Sequence, residues 1–184
     1  SAAILGSRAA VVDYPDADLR DVLDVNVAGA FGFARSVIPH LRRPGGVLLH
    51  LSSYVGRVAL PGYGAYAVSK FAVEGLARLV AAEHGADGIV SVAVDPGMVA
   101  TEMLAAAFVG QAVPEGARSP EAAAARLLAL HRLGPESSGT TVEPGWNRAV
   151  PATSPSSCRL AFRSRRCRPR CPRQGWPTAR RTAR

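Results

Sequence analysis

Two short apolar runs, separated by one segment of helical periodicity, constrain the fold of this chain most strongly. Residues 47–51 and 89–94 are almost continuously apolar, which is typical of strands buried on both faces of a parallel sheet. Residues 63–84 between them have the periodicity of a helix, whose core side chains we expect to be Phe71, Leu76, Leu79 and Val80. Parallel strands need a crossover of this length, so the sequence predicts a βαβ unit and an α/β fold.

Further helices are predicted on both sides of this unit. An apolar stripe over residues 16–43 ends at Pro44-Gly45-Gly46, and its internal Gly29 and Gly32 suggest close packing against a neighbouring element. The remaining predictions are a short helix at 102–108 inside a loop at 98–118, a helix from Ser119-Pro120 to about Leu133, and a short final strand at 139–143.

The charge of the chain is divided unevenly. The formal net charge is +8, but residues 148–184 hold 11 of the 22 Lys and Arg residues and none of the 14 Asp and Glu residues. Residues 1–147 therefore carry 11 basic and 14 acidic residues, a net charge of −3. We expect residues 1–147 to form one domain and the tail at 148–184, rich in Arg, Pro and Ser, to be disordered.

Composition also bears on location. All three cysteines lie in the tail, and a cysteine-free body is typical of a cytoplasmic protein. No apolar run of about 18 residues is present, so we expect no membrane span. The chain starts with Ser-Ala-Ala and shows no signal peptide, which favours a start inside a longer gene product.

A serine, a tyrosine and a lysine stand at a spacing that suits proton transfer. Lys70 follows Tyr66 by four residues, so both side chains lie on one helix face, and Ser53 follows the first apolar run. A phenol ionises near pH ~10, and a nearby ammonium lowers that pKa. Lys70 is the only lysine among the 22 basic residues. Tyr63 lacks such a partner, because Ala67 stands four residues after it.

Simpler interpretations stay open for single residues. A Tyr-x-x-x-Lys pair is common on surface helices, and it gains weight here only from Ser53 and its other neighbours. Asn26 fits a surface or kink position in a helix. His50 fits a core histidine better than a metal ligand, because no second ligand stands at a suitable spacing.

Taken together, four motifs resemble the short-chain dehydrogenase/reductase family over about residues 16–147. They are Asp24-Val25-Asn26-Val27-x-Gly29, Ser53 after the apolar strand, Tyr66-x-x-x-Lys70, and Pro96-Gly97-x-x-x-Thr101. The resemblance implies the C-terminal part of a doubly wound, Rossmann-like parallel sheet in a three-layer α/β/α arrangement, with the first half of the fold missing.

The resemblance also implies roles for these residues. Tyr66 would be the general acid/base, Lys70 would lower its pKa and hold the nicotinamide ribose, and Ser53 would position the substrate oxygen. Asn26 would hold a water in a proton relay to the lysine. The cofactor, NAD or NADP, would be bound by Asn26, Tyr66, Lys70, Pro96, Gly97, Val99 and Thr101.

The sequence departs from the family pattern at the cofactor's other end. The family's turn Thr-Gly-x-x-x-Gly-x-Gly, which holds the pyrophosphate at a helix N-terminus, does not occur in these 184 residues. The residue that reads the adenosine ribose does not occur either, so NAD and NADP cannot be distinguished from the sequence.

Three functional hypotheses follow. The first is an NAD(P)-dependent oxidoreductase acting on a small carbonyl or alcohol substrate, forming a homodimer or homotetramer in its intact form. The second is a non-catalytic remnant that serves only as a subunit or interaction module. Nucleic-acid binding by the arginine tail is disfavoured, because no recognition motif or aromatic platform accompanies the arginines.

Overall fold

The computed structural model describes residues 2–42, 46–108, 112 and 115–143. Helices separate its three described strands along the chain, as expected of an α/β fold. In order they are α1 (Asp16–Leu23), α2 (Gly29–Leu41), β1 (Val47–Leu51), α3 (Gly64–His84), β2 (Val90–Val94), α4 (Glu102–Ala107), α5 (Pro120–Ala129) and β3 (Thr141–Val142). A π-helical turn, Asp24–Ala28, joins α1 to α2, where the sequence predicted one continuous helix.

The described strands form a parallel sheet in the order β1-β2-β3. Val47 pairs with Val90 and Leu51 with Val94, while Val94 also pairs with Val142 on the other side. The predicted βαβ crossover through α3 is confirmed, and so is the short final strand. Both β1 and β2 therefore end at the same edge of the sheet, where open α/β sheets place their ligand sites.

Helices cover both faces of this sheet. Leu48 packs with Leu76 and Val80 of α3 and Ala34 of α2 on one face. On the other face, the valines of β2 pack with three leucines from α5 and the segment after it, Leu127, Leu130 and Leu133. The residues of β1 on this face are Val47, Leu49 and Leu51. Because successive strand residues point to opposite faces, these two clusters lie on opposite sides of the sheet. The predicted three-layer α/β/α arrangement is thus confirmed.

Burial differs from the sequence-based expectation in two places. All five residues of β2 are buried, whereas Val47, Leu49 and Leu51 of β1 are only half-buried. β1 pairs with β2 alone among the described residues, which leaves its other edge without a neighbouring strand. Leu76 and Val80 lie in the core as predicted, but Phe71 and Leu79 are 46% and 47% exposed, so their assignment to the core was wrong.

The helical glycines do not pack closely within this chain. A Cβ atom at Gly32 would meet nothing within 4 Å, and one at Gly29 would meet only a backbone oxygen of the same helix region at 3.6 Å. Close packing inside the domain therefore does not explain their presence in α2.

The start of α5 agrees with the sequence prediction, and its end differs from it. Ser119 caps α5 by accepting a hydrogen bond from the Ala122 amide, as its sequence position indicated. The helix ends at Ala129 and continues as a 3-10 turn, Leu130–Arg132. The domain boundary predicted at 147/148 and the disorder predicted for 148–184 lie outside the described residues. No helix in the described part of the chain is long and apolar enough to cross a membrane.

Candidate active site

Ser53 and Tyr66 meet at the carboxyl end of β1. The Ser52 amide donates to the Val94 carbonyl at 2.7 Å, which continues the β1–β2 pairing and fixes the chain just before Ser53. Tyr66 lies in the first turn of α3, which begins at Gly64. Gly64 has φ +36°, and a Cβ there would come within 2.2 Å of the Tyr14 ring, so only glycine fits this start of the helix.

The pKa of Tyr66 differs from the sequence-based expectation. Burial raises the pKa of Tyr66 above 10.0, a side-chain hydrogen bond with Ser53 opposes that rise, and the negative charge of Asp95 adds to it. The predicted lowering by Lys70 is not found in this structure. A buried phenol that stays neutral is suited to donate its proton, so the geometry favours Tyr66 as an acid toward a bound oxygen.

Lys70 lies one helical turn beyond Tyr66, as predicted, and its side chain is buried. Its Nζ donates to the Leu51 carbonyl at 2.9 Å and lies 5.4 Å from the centre of the Tyr66 ring. Burial lowers the pKa of Lys70 to about 8, although the charge of Asp95 opposes this. Lys70 can therefore exchange a proton near neutral pH, whereas an ordinary surface lysine cannot.

Asn26 is buried and holds two segments together. Its side-chain amide exchanges hydrogen bonds with the backbone of Ile4, Nδ2 to the carbonyl at 2.9 Å and the Ile4 amide to Oδ1 at 2.8 Å. Nδ2 also donates to Ser69 Oγ at 3.0 Å, and Ser69 donates to the Tyr66 carbonyl at 2.7 Å. Asn26 is thus not a surface residue: it connects the N-terminal segment to the helix that carries Tyr66.

The Pro96–Gly97 turn follows β2 and faces the same region. Gly97 has φ +69°, and its amide donates to Asp95 Oδ1 at 2.9 Å. Thr101 caps α4, accepting from the Leu104 amide at 3.3 Å and donating to the Val99 carbonyl at 3.2 Å. The Thr101 hydroxyl is thus already engaged with the backbone, and contacts of the turn and Thr101 with a nicotinamide stay a prediction.

One cavity of about 560 Å³ brings most of these residues together. This volume is in the range of small-molecule sites. Of the residues predicted to form the site, those on its wall are Ser53, Tyr66, Pro96, Gly97, Val99 and Thr101. Asn26 and Lys70 do not line it, and their hydrogen bonds go instead to Ile4 and Ser69 and to the Leu51 carbonyl. The nicotinamide end of a cofactor therefore has residues that fit it, while the described residues contain no glycine-rich pyrophosphate turn.

A buried ionic network lies against this cavity. Arg57 donates to Glu74 Oε1 at 3.1 Å, to Asp95 Oδ2 at 2.8 Å and to Glu143 Oε1 at 2.8 Å. Glu74 is almost fully buried and also accepts from Ser52 and Thr141, at 2.9 and 3.0 Å. The network joins β1, α3, β2 and β3 at the edge where the site lies. The carboxylates raise the pKa of Arg57 despite its partial burial.

Sequence reasoning missed this network. Glu74 stands four residues after Lys70, on the helix face of Tyr66 and Lys70, and this spacing could have identified it. Arg57 carries no comparable signal, because its partners are 17 to 86 residues away in sequence.

His50 behaves as a core residue, as predicted. Its Nε2 lies 3.0 Å from Ser91 Oγ, and burial lowers its pKa to about 4. No group of three or more His, Cys, Asp or Glu side chains among the described residues could hold a metal ion.

Comparison with known proteins gives a consistent family. The family model described as enoyl-(acyl carrier protein) reductase matches residues 1–130, so the match reaches further toward the N-terminus than the resemblance over 16–147 indicated. The 2-(R)-hydroxypropyl-CoM dehydrogenase of Xanthobacter autotrophicus is 43% identical over 83 residues, which cover 45% of this chain and 33% of that protein. The oxidoreductase UcpA of Salmonella typhimurium is 34% identical over 124 residues, which cover 66% of this chain and 47% of that protein.

Solved structures agree with the sequence comparisons. A short-chain dehydrogenase of Escherichia coli CFT073, determined with NADPH, has a TM-score of 0.68 and 30% identity. The match covers 79% of this chain and 61% of that structure. The chain thus spans a third to about half of the length of these curated relatives. Because the family model covers well over half of these 184 residues, the chain belongs to the short-chain dehydrogenase/reductase family.

Proposed function

We propose that the protein to which this chain belongs is an NAD(P)-dependent oxidoreductase that interconverts a carbonyl compound and an alcohol. The observation that carries the proposal is the convergence of Ser53 and Tyr66 with the Pro96–Gly97 turn on one cavity. The nicotinamide cofactor would supply the hydride, and this chain would supply orientation and the proton. NAD and NADP are both compatible with these residues.

The roles of the residues follow from their contacts. Ser53, hydrogen-bonded to Tyr66, would hold the substrate oxygen beside the phenol. Tyr66 would donate its proton to that oxygen during reduction and recover one afterwards. Lys70, with a pKa of about 8, would supply a positive charge behind the phenol and bind the nicotinamide ribose. The buried amide of Asn26 would keep α3, and therefore Tyr66, in position.

Replacement of Tyr66 by phenylalanine tests this proposal. The experiment uses a chain extended at its N-terminus by the first half of the fold, as in the longer relatives, and a panel of aldehydes and ketones. We expect Tyr66→Phe to lower NAD(P)H oxidation by at least about 100-fold, because general acid catalysis contributes about 10²–10⁴. Tyr63→Phe is the matched control, because Tyr63 lines the same cavity, and it should keep most of the activity. Unchanged turnover in Tyr66→Phe would refute the assignment.

We further propose that α2 and α3 form an interface with a second copy of the chain. Phe31, Phe33 and Phe71 are about half exposed, and Gly32 leaves open space on α2. Exposed aromatic side chains of this kind are typical of subunit interfaces. Such an interface is compatible with both hypotheses, the oxidoreductase and the chain that acts only as a subunit.

Light scattering distinguishes these possibilities. The wild-type chain should be a dimer or tetramer, and Phe33→Glu should shift it to a monomer, because a buried carboxylate is strongly disfavoured. Leu128→Glu, at an exposed position on α5, is the control and should leave the mass unchanged. A monomeric wild type would contradict the interface. Oligomers that never bind cofactor, even in the extended chain, would support the non-catalytic alternative.

Other properties rest on less direct observations. A cytoplasmic location stays a prediction, supported by the cysteine-free body of residues 1–147. Nucleic-acid binding has no support from the described residues.

A further inference from the structure

Arg118 places a positive charge on the wall of the cavity that contains Ser53 and Tyr66. Its backbone is fixed by two hydrogen bonds to the loop after β2: the Arg118 amide donates to the Met98 carbonyl at 3.0 Å, and the Ala100 amide donates to the Arg118 carbonyl at 2.8 Å. Its guanidinium lies over the turn, since a Cβ on Gly97 would be 3.2 Å from Nη1. Arg118 is therefore held at the point where a bound molecule would meet the Pro96–Gly97 turn.

Among the described residues, the guanidinium of Arg118 has no anionic partner. All 14 Asp and Glu residues of the chain lie in its described part, and none forms a salt bridge with Arg118. No side-chain hydrogen bond of Arg118 is found among the described residues either. Arg57, by contrast, contacts three carboxylates. The five N–H donors of this half-buried side chain are therefore available to solvent or to a bound molecule.

The other residues of the cavity wall limit where an anion could bind. Much of it is apolar, with Leu60, Met98, Met103, Leu104 and Phe108. Asp95 and Glu143 also line the cavity, but each binds Arg57 Nη2 at 2.8 Å. These two carboxylates disfavour an anion close to them, and the Gly97 amide already donates to Asp95 Oδ1, so an anion in the cavity is favoured where it contacts the Arg118 guanidinium. In such a partly dry pocket a guanidinium attracts an oxyanion more strongly than it would in water.

We propose that Arg118 binds an oxyanion carried by the molecule that occupies this cavity. This inference rests on the proposed function and extends it. Two sources have the required chemistry: a carboxylate on an otherwise apolar substrate, or the phosphate of the nicotinamide nucleotide. In the first case the substrate is an amphipathic oxo or hydroxy acid. In both cases the planar guanidinium holds the oxyanion through paired hydrogen bonds.

Calorimetric titration of the full 184-residue chain tests the inference with two pairs of probes. Octanoate is compared with 1-octanol, and reduced nicotinamide mononucleotide with reduced nicotinamide riboside, which lacks the phosphate. We expect at least one anion to bind about tenfold more tightly than its neutral counterpart, as a charge-assisted hydrogen bond allows. Arg118→Gln should remove that preference and leave the affinity for the neutral probe unchanged. Arg20→Gln, an exposed arginine on α1, should keep the preference.

The outcomes separate the two sources and can overturn the inference. A preference for octanoate alone assigns the oxyanion to the substrate, and a preference for the mononucleotide alone assigns it to the cofactor. Equal affinity for anion and neutral probe in both pairs, no binding of either anion, or a preference that survives in Arg118→Gln would each overturn it. Arg118→Lys is the control for a folding defect caused by replacing Arg118. Because lysine keeps the positive charge, this variant should keep part of the preference for the anion.

Failure of this inference is distinguishable from failure of the proposed function. The oxyanion preference is measured without turnover and should persist in Tyr66→Phe. An oxidoreductase with a neutral substrate would lose NAD(P)H oxidation in Tyr66→Phe but show no effect of Arg118 on the octanoate pair.

Discussion

At the scale of single residues, the site depends on two groups whose ionisation is changed by burial. Tyr66 stays neutral because its phenolate would be desolvated, and Lys70 loses its proton more easily for the same reason. The two shifts bring the pKa of a lysine to about 8 while keeping that of the tyrosine above 10.0. At pH 7 the pair therefore presents a proton donor and, behind it, a cation.

The lowered pKa of Lys70 predicts a specific pH dependence of stability. In the unfolded chain this lysine has a pKa near 10.5, so between pH 8 and 10.5 the unfolded state binds more protons than the folded state. Stability should therefore rise with pH across this window, by up to about 3 kcal/mol. Below pH 8 both states are protonated and the full penalty of burying the ammonium remains.

Lys70→Met isolates this effect. The free energy of unfolding, measured by urea denaturation, is compared between wild type and Lys70→Met at pH 7 and pH 10. We expect Lys70→Met to exceed wild type in free energy of unfolding by the largest amount at pH 7. At pH 10 wild type should have recovered part of that difference. A difference independent of pH would show that Lys70 titrates normally in the folded chain.

At the scale of elements, the ionic network determines how the strand ends and α3 meet. Arg57 lies directly after the 3-10 turn Tyr54–Gly56, between β1 and α3, and its guanidinium reaches carboxylates that follow β2 and β3. Removing one member leaves the others charged and partly desolvated. The Pro96–Gly97 turn depends on the same network, because the Gly97 amide binds the Asp95 carboxylate that Arg57 holds.

Arg57→Met and Arg78→Met form a matched pair of variants. Both arginines bind Glu74 at 3.1 Å, but the Arg57 side chain is 20% exposed and the Arg78 side chain 49% exposed. We expect Arg57→Met to lower the free energy of unfolding by about 3 kcal/mol, since it leaves the buried Asp95 and the half-buried Glu143 without a cation. Arg78→Met should cost less than about 1 kcal/mol, as is usual for exposed pairs. Similar losses in both variants, measured by denaturant unfolding at pH 7, would contradict this account.

Among the elements, those with a local apolar pattern could be predicted from the sequence. The bounds of β1 and α3 follow from the sequence because apolar periodicity is local, and the prediction placed β1 correctly and α3 within a residue. The sequence also grouped Ser53, Tyr66 and Lys70 into one candidate site. In the structure, Ser53 and Tyr66 line the same cavity and Lys70 does not. The π-helical turn at Asp24–Ala28 was missed, because a single extra residue per turn leaves little trace in an apolar stripe.

Long-range properties could not be predicted. The partners of Arg57 and the unpaired state of Arg118 depend on which strand ends meet, and no local spacing encodes that. The direction of the Tyr66 pKa shift depends on burial, which outweighs the lowering by the hydrogen bond with Ser53. Phe71 is apolar and periodic but exposed, because periodicity shows that a helix face is apolar and does not show whether the chain covers that face.

At the scale of the whole molecule, the proposed cofactor site would be only partly formed by the described residues. The cavity offers a proton donor, an apolar wall and the Pro96–Gly97 turn, which suit the nicotinamide and the substrate. The glycine-rich turn that binds the pyrophosphate in this family does not occur in the 184 residues. Pyrophosphate binding at a helix N-terminus supplies much of the affinity for such cofactors. The chain alone should therefore bind NAD(P)H weakly.

The most direct measurement is a titration with NADH and NADPH, followed by nicotinamide fluorescence, of this chain and of the chain extended by the first half of the fold. We predict saturable binding of at least one cofactor to the extended chain at micromolar concentrations, and no saturation of the 184-residue chain below about 1 mM. This result would place the nicotinamide half of the site here and the phosphate half in the extension. Absence of saturable binding to the folded extended chain would contradict the assignment of this cavity as a cofactor site.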